Sequence, residues 1–352
     1  MKYLGNIFSK SPEYKRIKAA ISSRDLPAAV NGVSHIHKAL ILAANSVESK
    51  RKALFLSADE GECARLLEDL SAMNVNAVMF PARDFTLRDV SVYSREYEHK
   101  RVAALERIIK GDYDVLLASI DAAVQYTLPK SLLEHSSFTI KVGSEQDSVA
   151  LISRLIGCGY TRSDIVEGVG QFSIRGGIVD VFPPNCHAPI RVDLWGDEVD
   201  KLSFIDIKTQ RSTEEIDEVL ICPAVEVFCA NRDDFISSLE TQKETAKRIT
   251  ENAKVKLQND IDVLRGGGSV PLDRYLPLVF KENYTLFDYM DDAIFYVSES
   301  LKVSERLRAY FWQLNEDQKQ LLEEGLLIPQ NCNLCIEPAE LNLCFEKMGA
   351  IY

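Results

Sequence analysis

Residues 31–39, Asn-Gly-Val-Ser-His-Ile-His-Lys-Ala, approach a phosphate-cradling loop without completing it. Such a loop needs glycines so that backbone N–H groups can reach the phosphates, a lysine for charge, and a Ser or Thr hydroxyl for Mg²⁺. Set on the spacing G-x-x-x-x-G-K-[ST], Gly32 and Lys38 match, but His37 stands at the second glycine and Ala39 at the hydroxyl. An imidazole there crowds the phosphate path and a methyl group cannot ligate a metal, so ATP is not expected as a cofactor. His35 and His37 would share a face of an extended segment; with no carboxylate or cysteine close by, they read as ordinary surface histidines. Cys332-Asn-Leu-Cys335 has metal-like spacing but lacks a second pair or nearby histidines. The eight cysteines are scattered and read as free thiols, and no metal site is expected.

A denser constellation lies further along. In Pro189-Ile-Arg-Val-Asp-Leu-Trp195, if Ile190, Val192 and Leu194 face a core, Arg191, Asp193 and Trp195 face outward together. Arg175 lies off the face of Phe172 and Ile174 and can point outward from a neighbouring strand. An exposed tryptophan flanked by two arginines has the composition of a protein–protein hot spot. The alternative is that Arg191 pairs with Asp193 and Trp195 covers a core edge.

The elements that must position these residues fall into three stretches. In the first, apolar runs at Lys52–Ser57, Val75–Phe80 and Asp114–Ser119 alternate with helical spacing at Gly61–Met73 and Arg95–Ile109, which predicts a parallel sheet covered on both faces. In the second, a helix near Asp147–Ile156 precedes period-two alternation from Gln171 to Phe204, broken at Gly176-Gly177, Pro183-Pro184 and Gly196-Asp197; this predicts an antiparallel meander packed on one face. The third returns to helix at Asp233–Leu264, breaks at Gly266-Gly267-Gly268, shows short strands at Tyr284–Asp288 and Ala293–Val297, and ends with a helix at Lys302–Glu324. Within Phe80–Tyr97, Arg83, Arg88 and Arg95, with Lys100 and Arg101 beyond, interleave with Asp84, Asp89, Glu96 and Glu98, as a solvated helix face would. The predicted organisation is an α/β domain in two parts, 1–138 and 225–352, with a β-rich domain at 139–224 between them.

Composition bounds the function classes. With 352 residues, 46% hydrophobic and 27% charged, the chain is long enough for two or three packed domains. Its 41 Lys+Arg against 53 Asp+Glu give a formal charge of −12, which excludes a chain acting as a whole as a nucleic-acid counterion. There is no run of about 18 apolar residues, and the opening MKYLGNIFSKSPEYKR turns polar too soon for a signal peptide, so a cytoplasmic location is expected.

The ordered run Gly170–Pro184, Pro189–Glu198, Phe204-Ile-Asp206 and Thr209-Gln-Arg211-Ser212 resembles bacterial nucleotide excision repair proteins, UvrB and above all the transcription-repair coupling factors (Mfd). The resemblance implies a degenerate helicase-like domain of the P-loop NTPase type, with an inserted domain that docks UvrA through Arg175, Arg191 and Trp195. Tryptophan at 195 replaces what is more often phenylalanine in the family. It also implies that Ser298-Glu299-Ser300-Leu301 stands for a D-E-x-H box in which Ser298 replaces the metal-binding Asp, leaving Glu299 without an ion. Together with Gly32, His37, Lys38 and Ala39, this predicts a module that hydrolyses no ATP. Phe80–Tyr97, with Phe85, Tyr93 and Tyr97, is short for UvrB's damage-probing hairpin, so damage verification is not expected. By resemblance the chain is a fragment. The domains that bind RNA polymerase and translocate DNA would lie further along, and a C-terminal domain would mask the docking face. A UvrB-type DNA-binding ATPase and an interaction module for another partner are the alternatives.

Overall fold

The computed structural model describes residues 3–23, 25–49, 51–85, 87–88, 94–229, 231–246, 249–290 and 292–352. Among them the strands run, in chain order, β1 (Ala53–Ser57), β2 (Ala77–Phe80), β3 (Val115–Ser119), β4 (Phe138–Lys141), β5 (Thr161–Arg162), β6 (Gln171–Arg175), β7 (Ile178–Val181), β8 (Ile190–Trp195), β9 (Glu198–Asp206), β10 (Arg211–Glu215), β11 (Glu218–Ile221), β12 (Ile294–Val297) and β13 (Ala350–Ile351).

The molecule is mixed α/β. Its parallel sheet has the order β13-β12-β1-β3-β2. β1, β3 and β12 are buried along their whole length, which is why their sequences read as unbroken apolar runs. The pleat sends Leu54, Leu56, Leu116 and Phe295 into one core and Phe55, Leu117, Ile294 and Tyr296 into the other. Backbone bonds between Val30 N–H and Tyr352 C=O (2.7 Å) and between Tyr352 N–H and Ala28 C=O (2.8 Å) lay residues 28–30 along β13. The helix His35–Glu48 therefore starts near the edge where the strands end at Ser57, Ser119 and Val297.

Between β3 and β12 the chain builds a six-stranded sheet, β10-β9-β8-β7-β6-β5, antiparallel except for the β5–β6 pair. Phe172, Val179, Val181, Ile190, Val192 and Leu202 form its buried face, in one core with Leu151 and Leu155 of the helix Ser148–Gly157. β4 and β11 pair antiparallel, Phe138 opposite Ile221 and Lys141 opposite Glu218, so the chain leaves and returns side by side.

Three expectations are corrected. The stretch 233–264 is two helices, Arg232–Thr245 and Glu251–Arg265; the second starts at Thr250, whose Oγ1 accepts from Ala253 N–H at 3.2 Å. Leu286–Tyr289 is a 3₁₀ turn, not a strand, because the Asp288 carboxylate accepts from both Thr285 N–H (2.7 Å) and Thr285 Oγ1 (2.8 Å) and curls the chain. The interleaved charges after Phe80 are not simply a solvated face. Arg101 is 0% exposed: its Nε and Nη2 donate to the two Glu226 oxygens at 2.6 and 3.0 Å, and its guanidinium lies 4.0 Å from the Phe80 ring centre. Arg83 is buried against Glu226 (3.1 Å), Glu98 (3.3 Å) and Asp273. Both guanidinium groups found carboxylates distant in sequence, which charge patterning along a helix cannot show. Lys100 with Glu96 and Arg88 with Glu324 remain at the surface. Asp89 and Tyr93 lie outside the described residues.

Candidate docking face and phosphate-site remnant

Strand register sets the outer face of the six-stranded sheet. One row across β6–β9 is Ser173, Asp180, Arg191 and Ser203; the next is Arg175, Ile178, Asp193 and Lys201. A register irregularity after Asp193 carries the strand on to Trp195, which is 83% exposed. Leu194 N–H donates to Gly177 C=O at 2.8 Å, so the β6–β7 turn lies against the end of β8 and brings Arg175 and Trp195 to the same end of the sheet. That approach requires glycine, since a Cβ at position 177 would sit 2.7 Å from the Leu194 oxygen.

The two arginines meet at a residue the sequence reading did not single out. The Asp180 carboxylate, fully buried, accepts from Arg191 Nε (2.7 Å) and Nη2 (2.9 Å) and from Arg175 Nη2 (2.6 Å). Arg191 thus bonds to Asp180 and not to Asp193. Its side chain is 15% exposed and lies flatter on the sheet than alternation alone suggests, while Arg175 is 43% exposed. Burial raises the Asp193 carboxyl above its ordinary range, against the opposing pull of Arg191. Trp195 covers no core edge. Asp180 was legible in principle: it sits between Val179 and Val181 on the opposite face, directly across from Arg191.

The segment Gly32–Ala39 and the pair Ser298-Glu299, far apart in sequence, meet in space. Lys38 Nζ donates to Glu62 Oε1 (2.7 Å) and Ser298 Oγ (2.8 Å) and lies 3.5 Å from Glu299 Oε1, while Ser298 Oγ donates to Glu62 Oε1 at 2.9 Å. The Lys38 side chain is 13% exposed. Gly32 takes a left-handed φ of +75°, and Ser34 N–H donates to His37 Nδ1 at 3.2 Å, so the imidazole caps the helix start where a loop glycine would open it. Ala39 is buried in the core. Glu299 adopts φ +45° and pairs with Lys302, which together with Lys38 holds its carboxyl below the ordinary range. A lysine already matched by a carboxylate has little charge to offer a phosphate, and a hydroxyl at 298 supplies no anionic ligand for Mg²⁺. Glu62 was missed because at the start of the helix Glu60–Ala72 it reads as a first-turn acid.

The histidine pair does not share a face: His35 and His37 stand on a helix, where a two-residue step turns about 200°. His35 Nε2 lies 3.0 Å from Asp69, and His37 turns to Ser34. Cys332 Sγ contacts Ile328 C=O and Cys335 Sγ the Tyr310 hydroxyl, each at 3.6 Å; burial raises the Cys332 thiol and pushes Cys335 up to about 12. All eight cysteines are free. Among the described residues no helix is long and apolar enough to cross a membrane.

Residues 138–227, the stretch carrying β4 to β11 and the candidate docking face, match the family model of the UvrB interaction domain. The wider chain is homologous to transcription-repair-coupling factors. It is 26% identical to that of Bacillus subtilis (strain 168) over 298 residues, 81% of this chain and 24% of the relative. With the factor of Staphylococcus epidermidis RP62A it shares 26% identity over 257 residues, 70% of this chain and 22% of the relative. With that of Staphylococcus aureus MRSA252 the figures are 25%, 70% and 22%. The chain spans about a quarter of the length of the curated relatives it matches.

Proposed function

We propose that the chain is the UvrA-docking module of a cytoplasmic transcription-repair-coupling protein. Residues 139–224 form the docking domain, and residues 1–138 and 225–352 a helicase-like scaffold that hydrolyses no ATP. The observation that carries this reading is the exposed Trp195 at the same sheet end as Arg175, beside the Arg175–Asp180–Arg191 cluster, within the stretch matching the UvrB interaction domain. RNA polymerase and DNA would be engaged by other parts of a longer protein, and a C-terminal domain of that protein would mask the face until repair is needed.

Titration of purified UvrA onto the immobilised chain tests the site. Trp195→Ala and Arg191→Ala are each expected to weaken binding by about 2 kcal/mol, roughly 30-fold, as central anchors do. Trp195→Ala should leave the far-UV circular dichroism unchanged because the side chain faces water. Undiminished binding by both variants overturns the assignment. The nucleotide reading has its own test: a Mg²⁺-ATP titration should give no saturable binding and no DNA-stimulated hydrolysis, and either signal would restore the UvrB-type ATPase.

A further inference from the structure

We infer that Asp180 is a positioning residue for docking: its buried carboxylate locks Arg175 and Arg191 into one rigid donor surface shaped for carboxylates on the partner. The inference rests on the docking reading and deepens it. Both oxygens of Asp180 are used, Oδ1 by Arg191 Nε and Oδ2 by Nη2 of each arginine. Its row neighbours leave it to the arginines: Ser203 Oγ donates to Ser212 Oγ at 2.9 Å, and the buried Ser173 Oγ has no partner among the described residues. A guanidinium carries five N–H donors. Arg175 spends one and Arg191 two on Asp180, and the others have no partner among the described residues.

Two positive charges and one negative leave the cluster at net +1, with unspent donors on a partly exposed surface. Planar donors of this kind match carboxylates bidentately. Free arginine side chains lose rotamer freedom when a partner binds. Here that loss is incurred on folding, because the fork is already held by a carboxylate that never meets solvent. Asp180 therefore acts without touching the partner, and its contribution falls on the lifetime of the complex. The net charge, by contrast, governs the rate of encounter.

This gives a signature that a general folding defect does not share. Asp180→Asn keeps the side-chain shape, raises the cluster to net +2 and loosens the fork. Against UvrA, surface plasmon resonance should show koff raised at least 10-fold, kon equal or higher, and a steeper fall of kon with salt. A misfolded fraction would lower only the signal amplitude. Unchanged koff, or a loss confined to kon, overturns the inference. A second measurement needs neither the variant nor UvrA: in the wild-type chain the Arg191 Nε–H should exchange with solvent at least 10-fold more slowly than that of the exposed Arg308, and equal rates overturn the positioning role. If wild-type chain fails to bind UvrA while Arg191 is protected, the docking reading falls and the lock stands. If wild-type chain binds and Asp180→Asn dissociates at the same rate, the lock alone falls.

Discussion

Glu226→Ala is expected to lower the unfolding free energy by about 3–5 kcal/mol, because it strands the Arg101 guanidinium in the interior and takes one of three carboxylates from Arg83. Glu226 is 0% exposed and holds Arg101 through both oxygens, Arg83 through one, and the Thr127 hydroxyl. Urea titration with far-UV detection measures the loss; a change below about 1 kcal/mol would contradict a buried network. The same carboxylate sets an acid dependence. Burial alone would raise its pKa, but Arg101 and Arg83 outweigh burial and hold it at about 2, below the ordinary 4.5. A carboxyl whose folded pKa is depressed stabilises the fold fully above its unfolded pKa and loses that stabilisation as pH falls through the folded value. Between pH 5 and pH 2, Glu226 is therefore expected to give up most of roughly 3 kcal/mol. Glu226→Gln should lack this component, so the stability gap between wild type and variant narrows across that window; a constant gap would refute the assignment.

The second large effect belongs to the same junction. Gly159 takes φ +83°, and a Cβ there would lie 2.3 Å from Val225 Cγ2, one residue before Glu226. Gly159→Ala combines a left-handed backbone, costing about 1–2 kcal/mol for a residue with a side chain, with overpacking of about 1–3 kcal/mol. A loss of about 3 kcal/mol is expected in the same titration. Shortening the obstacle with Val225→Ala should recover part of it, so the double variant should be less destabilised than the sum of the singles. Additive losses would show that the contact is not the cause.

What was readable in the sequence follows from how far apart the determining contacts lie. β1, β3 and β12 were legible because a strand buried on both faces must be apolar throughout, a local property. Arg175, Arg191 and Trp195 were found because alternation assigns a face from neighbours two residues away. Asp180 was on the same face and passed over, since a lone Asp among valines carries no mark of accepting from two arginines. Glu62 and Glu226 were out of reach: their partners, Ser298 and Arg101, are brought near only by the completed fold. The buried Arg83 and Arg101 illustrate the general failure, because charge is a sound predictor of exposure except where an opposite charge has been buried to meet it.

The β4–β11 pairing bears on how quickly the polypeptide can reach its native state. β12 must find β1, already flanked by β3, across a long stretch of chain, and such non-local closure slows folding. Once Phe138 is bonded beside Ile221, the excursion between them no longer counts toward that search. The effective loop between β3 and β12 is roughly halved, and its closure becomes easier by about 0.6 kcal/mol. The order of assembly this favours is the β4–β11 neck first, then β12 onto β1.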